Sequence, residues 1–586
     1  MKSAALSVPG QVHSLSDRII QLILRLGVGE HTLLLAIAGL VGVIAGFSIV
    51  FFYRLLDLVT RVVLGLSVTL NLPEPLVIAV LLAFGLVIVR LVVHYGTGDS
   101  PGENIPDVMH AVARRNGVLR AWPVAMKTLA AAITIAAGGS VGAEGPVAVL
   151  GGGMGSVTGQ WFRFRPTRLR LLVGCGAAAG ISGAFGAPIA GIFFAMEKIL
   201  GNFRSSSLAA VVVASVAAAA VTRNVLGAEQ VVRIPAEYGI LNNSDLVLYG
   251  IIGLLGGLVS VLYTRGVWSI GDLMQRFPLW LRLSIAAVFV GLMSGYFEPS
   301  LWGQGHQTLE VGMVLSQSAG VLLALSLAKI VATALTLGAG GVGGVFTPAI
   351  AVGGAFGGGT GMALTAIFPA AQVQPVACAL VGMTAVVAGS AHAPLTAIFI
   401  VLELTNDYGL ILPLLLAGSL GYVVARRTYP ESIYSEWLAR RGEHISHGAD
   451  EAVLKRLTVA DAYRSDPITA SSHDSLARAL PMLRQSAQLE FPVVNPENQL
   501  VGIFTWSDLK RALGDTGTLH GTLMRDLASP ALEAVTLEDD LLTALRRLGA
   551  RDAQIIPVLA TDDPRRLLGI IGRQDIFAVY ERELGE

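Results

Sequence analysis

Charge is what this sequence lacks most. Only 14% of its 586 residues are Asp, Glu, Lys or Arg, against about 25% in an ordinary soluble domain. Hydrophobic residues make up 53%, and the mean hydropathy is +0.66. A soluble globular chain is excluded, and an integral membrane protein is expected. Acids and bases balance at 41 each, so no net field draws in nucleic acid or another polyanion. Cysteine is nearly absent. Cys175 and Cys378 sit in separate small-residue apolar runs, where inert packing is expected rather than a disulfide or a metal pair. His94, His110, His306 and His392 are scattered, without the spacing of metal ligands. With no nucleophile–base set in the apolar part, a membrane enzyme finds no support and no catalytic residue is assigned. The first residues also lack the charged, apolar and cleavable regions of a secretory signal. Residues 1–30 are expected to be a cytoplasmic segment with a short amphipathic helix over Asp17 to Leu26.

The charge that is present is unevenly spread. Up to about Val424 apolar segments alternate with short polar breaks, and from about Arg426 the composition is that of a soluble domain. The expected division is a membrane domain at 31–440 and a soluble part at 441–586. Thr32 to Tyr53, Leu76 to Val93, Leu246 to Leu262, Leu283 to Met293 and Val321 to Leu337 read as spans of hydrocarbon. Gly142 to Gly159, Gly174 to Ile199, Gly340 to Gly361 and Val386 to Leu402 read as too short or too broken by glycine and proline. Broken backbone at membrane depth is tolerated only against protein or a water-filled cavity.

The broken segments repeat. GAEGPVAVLGGGMGSVTG from Gly142 matches GVFTPAIAVGGAFGGGTG from Gly344, with Pro146 and Pro348 in step. GAFGAPIAGIFFAMEK from Gly183 matches GSAHAPLTAIFIVLEL from Gly389, aligning Glu197 with Glu403. Two motifs at nearly one offset point to a duplicated, inverted repeat, over roughly 31–225 and 240–430, with a transport site between the halves.

Each copy of the first motif places proline in the opening turn of a helix, where its missing N–H costs nothing. Small residues before it leave the backbone donors bare, so each helix start favours an anion. Two such starts facing each other would hold a dehydrated anion without a full positive charge and could release it again. Glu144 is the one acid in the first motif and has no counterpart in the second. Intramembrane acids are functional by default.

These residues resemble the CLC family of chloride channels and proton-coupled chloride transporters. GAEGP is similar to that family's G-K/R-E-G-P stretch, and GVFTP to its G-x-F-x-P stretch. APLTAIFIVLELTNDYGLILPLLLAG is similar to its late helices, and ESIYSEWL to the segment with its pore tyrosine. The resemblance implies an all-α polytopic membrane domain with an inverted internal repeat and broken helices, followed by a cytoplasmic α/β domain. It implies a homodimer in the bilayer with one pathway per subunit. Glu144 falls on the gating glutamate, which competes with the anion when ionised and swings away when protonated. Gly145, Val345 and Phe346 fall at the anion-binding helix starts, Tyr434 on the tyrosine closing the inner side, and Lys127 on a buried lysine.

Three departures from the family stand out. Its basic residue before the gate is Ala143 here. Its early anion loop is matched loosely by SPGENIPDV, so Ser100 or a backbone near Glu103 would have to serve as anion ligand. Its inner proton glutamate follows a shared acid, and here Lys198 follows Glu197. A desolvated lysine can still titrate, whereas one that stays charged would draw anions and hinder protons. The bland alternative is a solvated lysine at a helix end. Chloride/proton antiport is the leading expectation; a passive channel, or selectivity for nitrate or fluoride, is the alternative.

The soluble part repeats as well. LVGIFTWSDL at Leu500 matches LLGIIGRQDI at Leu567, giving modules at 456–513 and 522–582 that resemble a pair of CBS modules. In such modules a Thr/Ser and an Asp at a helix start often bind adenine nucleotides. Thr505 and Asp508 fit that pattern, while Gly572 leaves Asp575 alone. T-x-x-D is also a helix capping box, and a docking and dimerising role is expected. No cofactor is required by this reading, and no metal site is assigned. The basic run WFRFRPTRLR at Trp161 suits a cytoplasmic connection, as does a tail of this kind. A CBS-bearing metal-ion transporter would need acidic ligands where this sequence has glycine-rich helix starts.

Overall fold

The computed structural model describes residues 30–70, 73–97, 105–227, 245–297, 317–368, 374–441, 449–486, 488, 490–505, 508–509, 522–530, 533–550 and 553–585. The expected amphipathic helix at Asp17 to Leu26, together with Ser100 and Glu103, lies outside them. The chain divides into two compact units, Met1–Ile445 and Ser446–Glu586.

The first unit is helical. Its first repeat runs through α1 (Glu30–Leu70), α2 (Glu74–Gly96), α3 (Ile105–Arg114), α4 (Ala121–Ala136), α5 (Glu144–Trp161), α6 (Pro166–Phe185), α7 (Pro188–Phe194) and α8 (Ser205–Leu226). The second runs through α9 (Asp245–Gln275), α10 (Leu279–Phe297), α11 (Ala319–Gly338), α12 (Phe346–Ile367), α13 (Pro375–Ala391), α14 (Pro394–Thr405) and α15 (Ile411–Thr428), and α16 (Ser435–Arg440) follows. Seven helices among the described residues are long and apolar enough to cross a membrane. They include α8 and α15, which the sequence reading did not single out. Leu283 to Met293 falls among the shorter apolar helices instead.

The glycine-rich segments are broken at fewer places than the sequence suggested. Helix α5 runs unbroken from Glu144 and α12 from Phe346. The breaks lie before them, between α6 and α7 at Gly186, and between α13 and α14 at His392. The glycines inside these helices serve contact rather than interruption. A Cβ on Gly151 would run into the Gly176 carbonyl, and one on Gly353 into the Gly382 carbonyl. Glycine in a helix costs about 1 kcal/mol relative to alanine, and close backbone approach offsets it where lipid supplies no hydrophobic drive. The same device at matching positions packs α5 on α6 and α12 on α13. Cys175 and Cys378 are buried free thiols in these helix pairs.

Two reciprocal contacts tie the halves together. Gly142 N–H donates to the Gly344 carbonyl at 2.9 Å, and Gly344 N–H to the Gly142 carbonyl at 2.7 Å. The Glu197 carboxylate accepts from Leu395 N–H at 3.0 Å, Thr396 N–H at 2.9 Å and the Thr396 hydroxyl at 2.6 Å. Glu403 accepts from Ile189 N–H at 2.9 Å and Ala190 N–H at 2.8 Å. Each acid thus caps the proline-initiated helix of the opposite repeat, as a two-fold relation between the halves requires. Charge-assisted bonds to uncapped helix donors are the strong kind. Glu197→Gln and Glu403→Gln are each expected to destabilise the detergent-purified protein by about 1–2 kcal/mol. Thermal unfolding followed by tryptophan fluorescence reads this; unchanged melting in both variants would make the caps dispensable.

The second unit holds two matching hairpins, β2 (Glu490–Val494) with β3 (Leu500–Thr505) and β4 (Ile555–Leu559) with β5 (Leu567–Gly572). A short β1 (Ala470–Ser471) adds in parallel to β2, and the bridge between Val535 and Val558 repeats that arrangement on β4. The hairpins meet through Gln499 and Arg566.

Candidate functional site

The two repeated helix starts converge on one carboxylate. Glu144 opens α5 and is fully buried. Its Oε1 accepts from Phe346 N–H at 2.5 Å and its Oε2 from the Thr347 hydroxyl at 2.8 Å, both at the start of α12. Neither of these donors is a cation. Val345, the residue preceding α12, supplies no side-chain cap, so Glu144 provides the negative group that this helix start lacks. The close approach depends on glycine. A Cβ on Gly142 or Gly344 would overlap the Glu144 carboxylate.

The arrangement continues into a cavity of about 460 Å³ lined by Ile105, Pro106, Gly145, Val345, Tyr434 and Trp437. Tyr434 is 3% exposed, and its buried hydroxyl has no hydrogen-bond partner among the described residues. A buried, unpaired donor beside bare helix starts is costly unless a ligand satisfies it. Arg90 and Arg282 line the same cavity and offset the charge of Asp272 there, which is itself paired with Arg440 at 2.7 Å. The lining thus combines guanidinium groups, backbone at helix starts and an unpaired hydroxyl.

Glu144, Gly145, Val345, Phe346 and Tyr434 come together around the cavity and the carboxylate. The Phe346 ring packs against Phe185 at 6.4 Å between centroids, so its side chain is core and its amide faces the site. Lys127 is buried and pairs with Asp107 at 2.5 Å, which fixes the first turn of α3 rather than reaching an interface. Lys198 is 2% exposed, so it is no solvated helix end. It lies beside Glu197 in a π-helical turn, Ala195–Leu200, a form that recurs at functional sites. Both Glu197 oxygens are taken up as the α14 cap.

Three residues escaped the sequence reading. Thr347 is the one residue of GVFTP to which the sequence analysis gives no role. Lys329 precedes Phe346 by the same 17 positions that separate Lys127 from Glu144 and is 1% exposed. Tyr263, fully buried, donates to the Val345 carbonyl at 2.7 Å. The repeat offset could have found Lys329; nothing local marks Tyr263.

In the second unit Asp508 accepts from Thr505 N–H at 2.9 Å and the Thr505 hydroxyl at 2.8 Å. Asp508 N–H returns a bond to that hydroxyl at 3.3 Å, closing a capping box. Asp575 accepts from Gly572 N–H at 2.8 Å and Arg464 at 3.1 Å.

Comparison with known proteins agrees with this architecture. Residues 84–426 match the family described as voltage gated chloride channel, and residues 459–515 and 524–582 each match the CBS domain. A ClcB-like chloride channel protein of Ralstonia nicotianae is 35% identical over 361 residues, which cover 60% of this chain and 82% of the relative. The H(+)/Cl(-) exchange transporter ClcA of Vibrio cholerae O395 is 32% identical over 414 residues, 68% of this chain and 88% of the relative. The crystal structure of a slow cyanobacterial Cl-/H+ antiporter superposes with a TM-score of 0.64 at 25% identity, covering 71% of this chain and 98% of that one. The chain is a multi-pass membrane protein of the voltage-gated chloride channel (CLC) family, carrying a C-terminal pair of CBS domains.

Proposed function

We propose that this protein exchanges chloride, or a similar small anion, for protons across the membrane, with Glu144 as the gate. The observation that carries the reading is the seat of the Glu144 carboxylate. It lies on the Phe346 amide and the Thr347 hydroxyl, donors that a dehydrated chloride would use. An ionised Glu144 excludes the anion from that seat; a protonated one loses its claim on two donors and yields it. Protonation of this side chain therefore frees the seat for the anion, and deprotonation returns the carboxylate to displace it, so the proton's passage is tied to the anion's. Tyr434 closes the inner side, and its free hydroxyl is a further donor for the anion. The relatives named for H(+)/Cl(-) exchange support this direction. The CBS pair docks and pairs subunits on the cytoplasmic side of a homodimer.

The test is flux from liposomes under a chloride gradient with external pH recorded. Proton movement against its own gradient is expected. Chloride flux with no proton movement would leave a passive channel, which the buried Lys198 favours if it keeps its charge. Replacing chloride by nitrate or fluoride in the same assay reads the selectivity.

Lys198 bears on the inner proton route. It is the buried ionisable group at the position next to the shared acid Glu197. Lys198→Met is expected to abolish proton movement while chloride flux continues. Unchanged coupling would mean that protons reach Glu144 by another route.

A further inference from the structure

The peptide unit joining Val345 and Phe346 is bonded on both faces. On one side Phe346 N–H donates to Glu144 Oε1 at 2.5 Å. On the other the Val345 carbonyl accepts the first helical bond, from Ala349 N–H at 3.2 Å, and the Tyr263 hydroxyl at 2.7 Å. The result is one continuous chain, O–H···O=C–N–H···O, running from a side chain on α9 through a single amide to the site occupant. A donor on the carbonyl draws electron density from the amide and strengthens its N–H as a donor, by roughly 10–30% per bond. Tyr263 is fully buried, so water does not compete for either end.

The repeat architecture does not call for this bond. At the matching start of α5 the Ala143 carbonyl accepts Val147 N–H at 3.0 Å and, among the described residues, no side-chain hydroxyl. Tyr53 on α1 sends its hydroxyl to the Ala184 carbonyl at 3.3 Å instead, at the end of α6 and not to either peptide of the seat. A buried tyrosine that merely needed a partner could take any carbonyl. This one takes the carbonyl whose amide holds the gate.

We propose that Tyr263 is a positioning residue that sets how strongly the Phe346 amide holds its occupant, whether anion or Glu144 carboxylate. It acts through the peptide and touches neither directly. The inference rests on the reading of this seat as the anion site. It separates from that reading experimentally, because both effects are measured against the Tyr263-intact protein.

Tyr263→Phe keeps the ring and removes the hydroxyl. In a Glu144→Gln background, where the seat is free for the anion, calorimetry on detergent-purified protein is expected to show chloride binding weakened about three- to tenfold. Charge-dense fluoride should lose more than polarisable thiocyanate, a grading that a packing defect would not produce. In the protein with Glu144 intact, the acid activation of chloride efflux should move to higher pH, because the weakened amide lets the carboxylate go sooner. Tyr53→Phe, whose hydroxyl bonds the Ala184 carbonyl, should leave chloride affinity in the Glu144→Gln background unchanged. If Tyr263→Phe does not purify as a folded protein, 3-fluorotyrosine at 263, a stronger donor, is expected to tighten chloride and move activation to lower pH. Unchanged chloride affinity and unchanged activation in whichever variant purifies would overturn the proposal. Absence of chloride binding in the Glu144→Gln protein with Tyr263 intact would instead overturn the assignment of the site itself.

Discussion

Glu144→Gln is expected to carry chloride at a rate that no longer responds to pH and to move no protons with it. An amide N–H and a hydroxyl of α12 hold the carboxylate. Bonds to a charged acceptor contribute about 1.5–3 kcal/mol each. Glutamine has the same shape without the charge. Its amide also presents an NH2 group toward a site made of donors, so it forms fewer bonds and weaker ones. Each 1.4 kcal/mol lost lowers occupancy of the seat about tenfold, and the anion fills it at any pH. With no titrating group in the seat, nothing ties a proton to the anion's passage. Parallel chloride and pH electrodes on a liposome suspension read both quantities in one run. Efflux that is still accelerated by acid, or protons still driven uphill, would remove Glu144 from the mechanism.

The features legible in the sequence are those that repeat or that break a rule locally. Pro146 and Pro348 mark two helix starts because proline is welcome only in the first turn, and α5 and α12 begin two residues before them. A lone acid in an apolar, glycine-rich run marks Glu144. Glu197 and Glu403 were legible as aligned acids, yet not as reciprocal caps. Their partners lie 198 and 214 residues away, the first downstream and the second upstream, and no sequence period links a carboxylate to the start of a distant helix. Tyr263 is hidden for the same reason. The glycines misled in the other direction. Read by helix propensity they break segments; read by packing they let α5 meet α6 and α12 meet α13. Tertiary contact decided, as it commonly does over a weak local preference. Hydropathy also undermeasured α1, which continues to Leu70, well past the apolar stretch ending at Tyr53.

Gly142→Ala is expected to open the gate without touching the glutamate. Gly142 has no positive φ, so alanine fits its backbone. Its pairing with Gly344 uses main-chain atoms only and survives the change. The three atoms that a Cβ at 142 would meet first all belong to the Glu144 carboxylate, with Cδ 2.6 Å away and Oε2 closer still. The cheap response is for the flexible acid to leave, since the far end of a side chain yields before backbone does. Leaving costs the carboxylate its two donors, at least about 3 kcal/mol by the figures for charged acceptors, and overlap with a methyl group exceeds that. Chloride efflux from liposomes should therefore rise toward the Glu144→Gln rate and lose most of its acid stimulation. The neighbouring position gives the contrast. A Cβ at Gly344 would also come within 2.7 Å of the Gly145 amide, so Gly344→Ala is expected to disturb the helix start itself and slow transport. The decisive control is Gly142→Ala placed on Glu144→Ala, where there is no carboxylate left to displace. The methyl group should then change the flux by less than about twofold, because substitutions without a shared partner act independently. A large effect in that background would show that position 142 works through the Gly142–Gly344 bridge, and that the seat of Glu144 does not control the pathway.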